Sequence, residues 1–331
     1  MSVSHSVFAA VALSVIGGCS TSQPALPPAP AVIVEDSAVT LTTPTGNLYG
    51  TLELPARAFP VPVALIISGS GPTDRNGNSR ILPGANNSLR MVARGLAERG
   101  VASLRYDKRG IGASAGAMVK EEDLRFDHFV GDAKNWIARL RSDPRFSTVT
   151  VVGHSEGSLI GMIASREAGA DAFVSLEGAG RNAKDVIAAQ LSAQLPANVV
   201  NNVKEMMRKI EAGEKVDSVP PMLAPLFRRS VQPYLASWFK YTPSSEIAKL
   251  TIPSLVVQGT TDIQTSVEDA KLLADGHAKA RLFMIEGMNH VLKTASGNMA
   301  AQMPSYSDPA LPVVPQLLDE VATFIKSAKK Q

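Results

Sequence analysis

The stretch VVGHSEGSLIG, Val151 to Gly161, sets a serine between a histidine and a glutamate, with glycines at 153 and 157. It follows TVTVV, a run rich in β-branched residues, and continues into SLIGMIASREAG, whose apolar spacing is helical. G-x-S-x-G between a strand and a helix is the setting in which a serine sits on a sharp turn with strained backbone angles. Bulkier residues at the two glycine positions would clash there. So short a pattern also arises by chance, so the strand before it and the helix after it carry the reading. On that reading Ser155 is held up as a nucleophile.

Outward from this turn the chain alternates. AVTLTTPTGNLYGTLELP reads as a hairpin, VPVALIISGSG as a buried strand ending in glycines, NNSLRMVARGLAERG as an amphipathic helix closed by Gly100, and VASLRYDKRG as a strand. DHFVGDAKNWIARLRSD is helical, AFVSLEGAG, SLVVQGTTD and ARLFMIEGMNH are strands, and PQLLDEVATFIKSAKK closes the chain as a helix. Strands alternating with helices predict an α/β fold with a mostly parallel sheet covered on both faces. Between residues 181 and 250 the alternation stops. Helical patterns, prolines at 220, 221, 225 and 233, and the aromatics Phe227, Tyr234, Trp238, Phe239 and Tyr241 predict a helical cap inserted into a core made of residues 38–180 and 251–331. Met206, Met207, Met222 and Trp238 either line an acyl pocket or pack the cap onto the body, and packing is favoured for any one of them.

The chain has 331 residues, 45% hydrophobic and 19% charged, with a formal charge of +3. That suits a globular protein, and its scattered lysines and arginines make no stripe for nucleic acid. Neither a metal-ligand cluster nor a phosphate-binding loop is visible. Residues 1–18, with the apolar run VFAAVALSVIGG, read as an export signal too short to span a membrane. Ile16-Gly17-Gly18-Cys19 resembles a bacterial lipobox, which makes Cys19, the single cysteine, the expected lipid attachment site. MSVSHS lacks the usual basic residue, and an ordinary secretory signal is the alternative. Ser20 after the cysteine implies, through the resemblance to lipoproteins, an outer-membrane anchor. Residues 19–37, rich in Ser, Pro and Ala, would be a tether.

A serine hydroxyl needs a base within hydrogen-bond reach and a third group to orient that base. Of the five histidines, His5 lies in the export signal, His128 on a helix before the turn, and His277 at the entry of the last strand. His154 is expected to face away from Ser155. His290, read as ending the strand IEGMNH, is left as the base. The acid should lie between serine and histidine in sequence, and Asp262, past the glycine turn of SLVVQGTTD, fits. The oxyanion donors are expected to be the backbone N–H of Glu156 and an N–H from the loop SGSGPTDRNGN, assigned to Ser70 with Gly71 as the alternative.

With these residues in place the sequence resembles the α/β-hydrolase superfamily. SGSGPTDRNGN, SLRYDKRGIGAS, VVGHSEGSLIG, VVQGTTD and MNHVLK, with the late SYSDPALPVVPQLLDEVATFI, are similar to EstD-type bacterial carboxylesterases and the related serine-aminopeptidase-like hydrolases, over about residues 40 to 328. The resemblance implies hydrolysis of a small-molecule ester by acyl transfer through Ser155, His290 and Asp262, without metal or organic cofactor. It also implies that Asp107 and Arg109 order a loop. An aminopeptidase or amidase with the same triad, and a non-catalytic surface lipoprotein, are the alternatives.

Overall fold

The computed structural model describes residues 35–331, so the export signal and Cys19 lie outside the described residues. Eight strands form one sheet in the order β1-β2-β4-β3-β5-β6-β7-β8. The first two, β1 (Glu35–Thr43) and β2 (Gly46–Leu54), make the expected hairpin, and β2 pairs antiparallel with β4 (Ala102–Tyr106). From β4 onward through β3 (Val61–Ile67), β5 (Phe146–His154), β6 (Ala172–Leu176), β7 (Ser254–Gly259) and β8 (Ala280–Ile285) every pairing is parallel. The hairpin starts three residues inside the expected tether, because Glu35, Asp36 and Ser37 already pair with Leu54, Glu53 and Leu52.

The strand β3 shows why both faces are covered. Val63, Leu65 and Ile67 enter an apolar cluster shared with α2 (Phe126–Ser142) and α3 (Glu156–Ala168), while Ala64 and Ile66 enter one shared with α1 (Ser88–Glu98) and α11 (Pro315–Ser327). Alternate residues of a strand point to opposite faces, so a strand buried on both sides must be apolar throughout. Each fully buried aliphatic side chain here contributes about 1.5–3 kcal/mol. Two further helices, α9 (Val267–Asp275) and α10 (Met299–Ser307), complete the core.

Between β6 and β7 lie α4 (Ala183–Ser192), α5 (Ala197–Glu211), α6 (Ala224–Phe227), α7 (Gln232–Phe239) and α8 (Pro243–Ile247). The first four share an apolar cluster of their own, in which Met206 and Met207 are packed with Val203, Ile210, Phe227 and Phe239, whereas Ile247 of α8 packs into the body. Met222 is exposed. Trp238 stacks on Phe126 of the body at 6.2 Å, and the Phe126 N–H donates to Ser237 Oγ at 2.8 Å. Met206, Met207 and Trp238 therefore serve packing, within the cap and against α2, while Met222 does neither. Among the described residues no helix is long and apolar enough to cross a membrane.

Candidate active site

Ser155 stands between β5 and α3 with φ 54° and ψ −122°, a conformation rarely adopted by a side-chain-bearing residue and held only where the surroundings enforce it. Two features enforce it. The Ser155 N–H donates to Leu176 O of β6 at 2.9 Å. A Cβ at Gly153 would lie 2.3 Å from Gly157 O, and one at Gly157 would lie 2.3 Å from Ile67 O. The glycines let helix, turn and β3 close on one another, and the hydroxyl is left at the carboxyl edge of the sheet.

Asp262 lies three residues past β7, in a loop that wraps its carboxylate with donors. Oδ1 accepts from the N–H groups of Gln264 (2.6 Å) and Thr265 (3.1 Å), and Oδ2 from Thr265 Oγ1 (2.7 Å) and His290 Nδ1 (2.7 Å). Burial alone would raise this carboxyl, but the charge and hydrogen bond of His290 and the Gln264 N–H outweigh it and hold Asp262 well below the usual carboxylate range. An ionised Asp262 fixes the proton of His290 on Nδ1 and leaves Nε2 free to accept. His290 does not end a strand as expected. The strand β8 stops at Ile285 and His290 sits in the following turn, pinned by Asn289 N–H to Lys293 O at 3.0 Å.

His154 makes no hydrogen bond to Ser155. Its ring is buried, lies 4.9 Å from the His290 ring, and bonds His290 O through Nε2 at 2.7 Å. Burial, then the neighbouring His290, push its pKa down to about 3, so it is neutral and Nε2–H is the donor. The residue preceding the candidate nucleophile thereby braces the loop that carries the candidate base.

The loop after β3 lies against Ser155, since a Cβ at Gly69 would fall 3.0 Å from Ser155 Cβ. Ser70 follows, exposed, and its N–H meets no backbone acceptor among the described residues. Gly71 has φ 68° and is likewise exposed. Glu156 opens α3, so its N–H stands outside the helix's own hydrogen-bond ladder. Asp107 accepts from the N–H groups of Arg75 and Ala113, both at 2.8 Å, and Arg109 forks onto Asp132 of α2. Both residues thus hold loops in place.

Three functional candidates escaped the sequence reading: Lys108, Tyr234 and Glu177. Lys108 Nζ bonds Glu156 Oε2, and Tyr234 OH donates to Glu156 Oε1. Glu177, directly after β6, is fully buried; its Oε1 accepts from Gly259 N–H at 2.8 Å, while its Oε2 has no hydrogen-bond partner among the described residues. A carboxyl at the end of an otherwise apolar strand was the available signal. Among the described residues no three His, Cys, Asp or Glu side chains gather in a way that could hold a metal ion.

The fold, with its mostly parallel sheet and the strand-turn-helix at its carboxyl edge, is that of the α/β-hydrolase class. The chain belongs to the family described as serine aminopeptidase, S33, which matches residues 85–294, a stretch that contains Ser155, Asp262 and His290. It is similar to Esterase EstD of Thermotoga maritima, with 24% identity over 256 residues, covering 76% of this chain and 59% of that relative. The chain therefore spans less than two thirds of that relative's length. Among solved structures it is similar to Est1E from Butyrivibrio proteoclasticus, with a TM-score of 0.55, 16% identity, and coverage of 87% of this chain and 97% of that one. It is similar too to the Pyrococcus furiosus esterase Pf2001, with a TM-score of 0.55, 17% identity and coverage of 88% and 90%. At these identities the likeness concerns the fold.

Glu177 gives the site a measurable pH signature. Burial first, then the charge of Asp262, raise its carboxyl well above the ordinary value, so the folded state keeps a proton that the unfolded chain releases. Raising the pH above 4.5, the ordinary value, therefore favours unfolding through this group. Glu177→Gln retains an acceptor for the Gly259 N–H without the titration. It is expected to raise the urea midpoint at neutral pH, with the gain vanishing as the pH falls below 4.5. Midpoints equal to wild type at both pH values would mean that Glu177 is ionised in the folded protein.

Proposed function

We propose that the chain hydrolyses carboxylic esters through an acyl-enzyme on Ser155, with His290 as general base and then acid and Asp262 orienting it. The observation that carries this reading is the pairing of a serine at φ 54° on the strand-to-helix turn with a buried His290–Asp262 bond of 2.7 Å at the same edge of the sheet. Ser155 Oγ attacks the ester carbonyl as its proton passes to His290 Nε2, and the imidazolium then protonates the leaving alcohol. A water activated by the same nitrogen releases the acid. The N–H groups of Glu156 and Ser70 take the developing oxyanion.

The family's description makes an aminopeptidase the second reading. An aminopeptidase must receive a substrate ammonium, and unpaired acids near the cap would serve that purpose. Most of the cap's carboxylates are instead matched, Glu205 with Arg208, Glu211 with Lys184, Asp217 with Arg229 and Glu246 with Arg166, and only Asp185 and Glu214 make no ion pair among the described residues. This pairing, with the likeness to a relative named an esterase, supports ester over peptide substrates.

Export through residues 1–18 and a lipid on Cys19 belong to the same proposal. Cys19→Ser is expected to move the protein from the membrane to the soluble fraction of its host, and an unchanged distribution would remove the lipid from the account.

The activity is tested by assaying residues 20–331 against p-nitrophenyl acyl esters of increasing length beside aminoacyl p-nitroanilides. Ester turnover is expected, and Ser155→Ala should lower kcat by several orders of magnitude without unfolding the protein. Turnover of anilides alone would move the assignment to a peptidase.

A further inference from the structure

We propose that Lys108 is a positioning residue that sets both oxyanion donors, by tying the peptide that carries the Ser70 N–H to the side chain of Glu156. The proposal rests on the serine-hydrolase reading above and goes beyond it.

Lys108 follows β4 by two residues, and its side chain is only 2% exposed, as is that of Glu156. Lysine and glutamate are almost never buried unless paired, and such a pair stabilises a fold weakly or not at all, since desolvation offsets the attraction. A buried pair beside a reactive serine therefore calls for another explanation. Its hydrogen bonds supply one. Lys108 Nζ donates to Gly69 O at 2.5 Å and to Glu156 Oε2 at 2.9 Å, and it sits over the Phe129 ring at 5.2 Å.

The peptide joining Gly69 to Ser70 is planar, and in the trans form its C=O and N–H point in opposite directions. An ammonium that fixes the Gly69 carbonyl on one side thereby fixes the Ser70 N–H on the other. Gly69 is also the residue packed on Ser155, so the fixed peptide is the one beside the reacting hydroxyl. Glu156, the second partner of Lys108, supplies the other donor N–H from the start of α3. One ammonium thus joins two donors that come from different elements, the loop after β3 and the first turn of α3. Tyr234 of α7 closes the remaining Glu156 oxygen from the cap side. Burial, then the charge of Glu156, raise the tyrosine's pKa well above its ordinary value, so its hydroxyl stays a donor.

This arrangement also accounts for the glutamate after the serine, which G-x-S-x-G leaves unspecified. A backbone N–H could come from any residue at that position, whereas the cross-link needs a carboxylate there.

The test compares wild type with Lys108→Met and with Lys108→Met/Glu156→Gln. The double variant removes both charges, so neither is left buried alone. Steady-state hydrolysis of a p-nitrophenyl ester is measured beside inhibition by a trifluoromethyl ketone, which forms an oxyanion at the serine. In the folded double variant kcat is expected to fall on the order of tenfold or more, less than the roughly 10²–10³ lost when a donor is deleted. KM should stay within about threefold, and the ketone's affinity should fall by the same factor as kcat/KM. A folded double variant with wild-type kcat, or with a loss confined to KM, overturns the proposal. So does a double variant that cannot fold, because the pair would then serve the fold alone. Ser155→Ala separates the two readings. If it keeps the wild-type rate, the serine mechanism fails and this proposal with it; if it is inactive while the double variant keeps kcat, only the proposal fails.

Discussion

The close approach of β3, β5 and α3 around Ser155 is the constraint on which the rest depends. It places a serine at φ 54°, permits no Cβ at 153 or 157, and brings the Gly69 loop onto the hydroxyl. A backbone conformation of this kind costs on the order of 1–3 kcal/mol, and it is maintained by the buried apolar packing on both faces of the parallel sheet. The fold thus holds in place a local strain that a flexible chain would relax, and the Ser155 hydroxyl comes already positioned.

Around that turn, polarity is arranged so that neighbouring groups are driven to opposite protonation states. Asp262 is held ionised by His290 and backbone donors, while burial and the charge of Asp262 raise the Glu177 carboxyl well above its ordinary value. His154 is held neutral beside His290. Titratable groups separated in this way give each hydrogen bond one direction, and the direction at His290 Nδ1 is what frees Nε2 for a proton. The Lys108–Glu156 pair extends the same logic to the donors on the other side of the serine.

How much of this the sequence discloses depends on the range of the interactions. The strand-turn-helix around Ser155 and the apolar strands are local patterns, and the eight-stranded sheet agrees with them. Asp262 and His290 were reachable because chain order and the few histidines narrow the choice, and the structure brings them within a hydrogen bond. The bracing role of His154 was not legible because its partner is a carbonyl 136 residues away, and His290 was read as ending a strand although β8 stops at Ile285 and a turn carries the histidine. Lys108, Tyr234 and Glu177 were missed because a buried charge shows itself only through its partner. Glu156 and Lys108 are 48 residues apart, and Glu156 and Tyr234 are 78 apart. The one local hint was a charged residue inside an otherwise apolar or glycine-rich stretch, as in HSEGS and VSLEG.

The central claim is that Ser155 is the activated nucleophile of the site. Intact-mass spectrometry after exposure to a fluorophosphonate, with peptide mapping of the product, tests it most directly. The expected result is one phosphonyl adduct per chain, on the peptide that contains Ser155. A folded protein that gains no adduct, or gains it on another residue, would contradict the account.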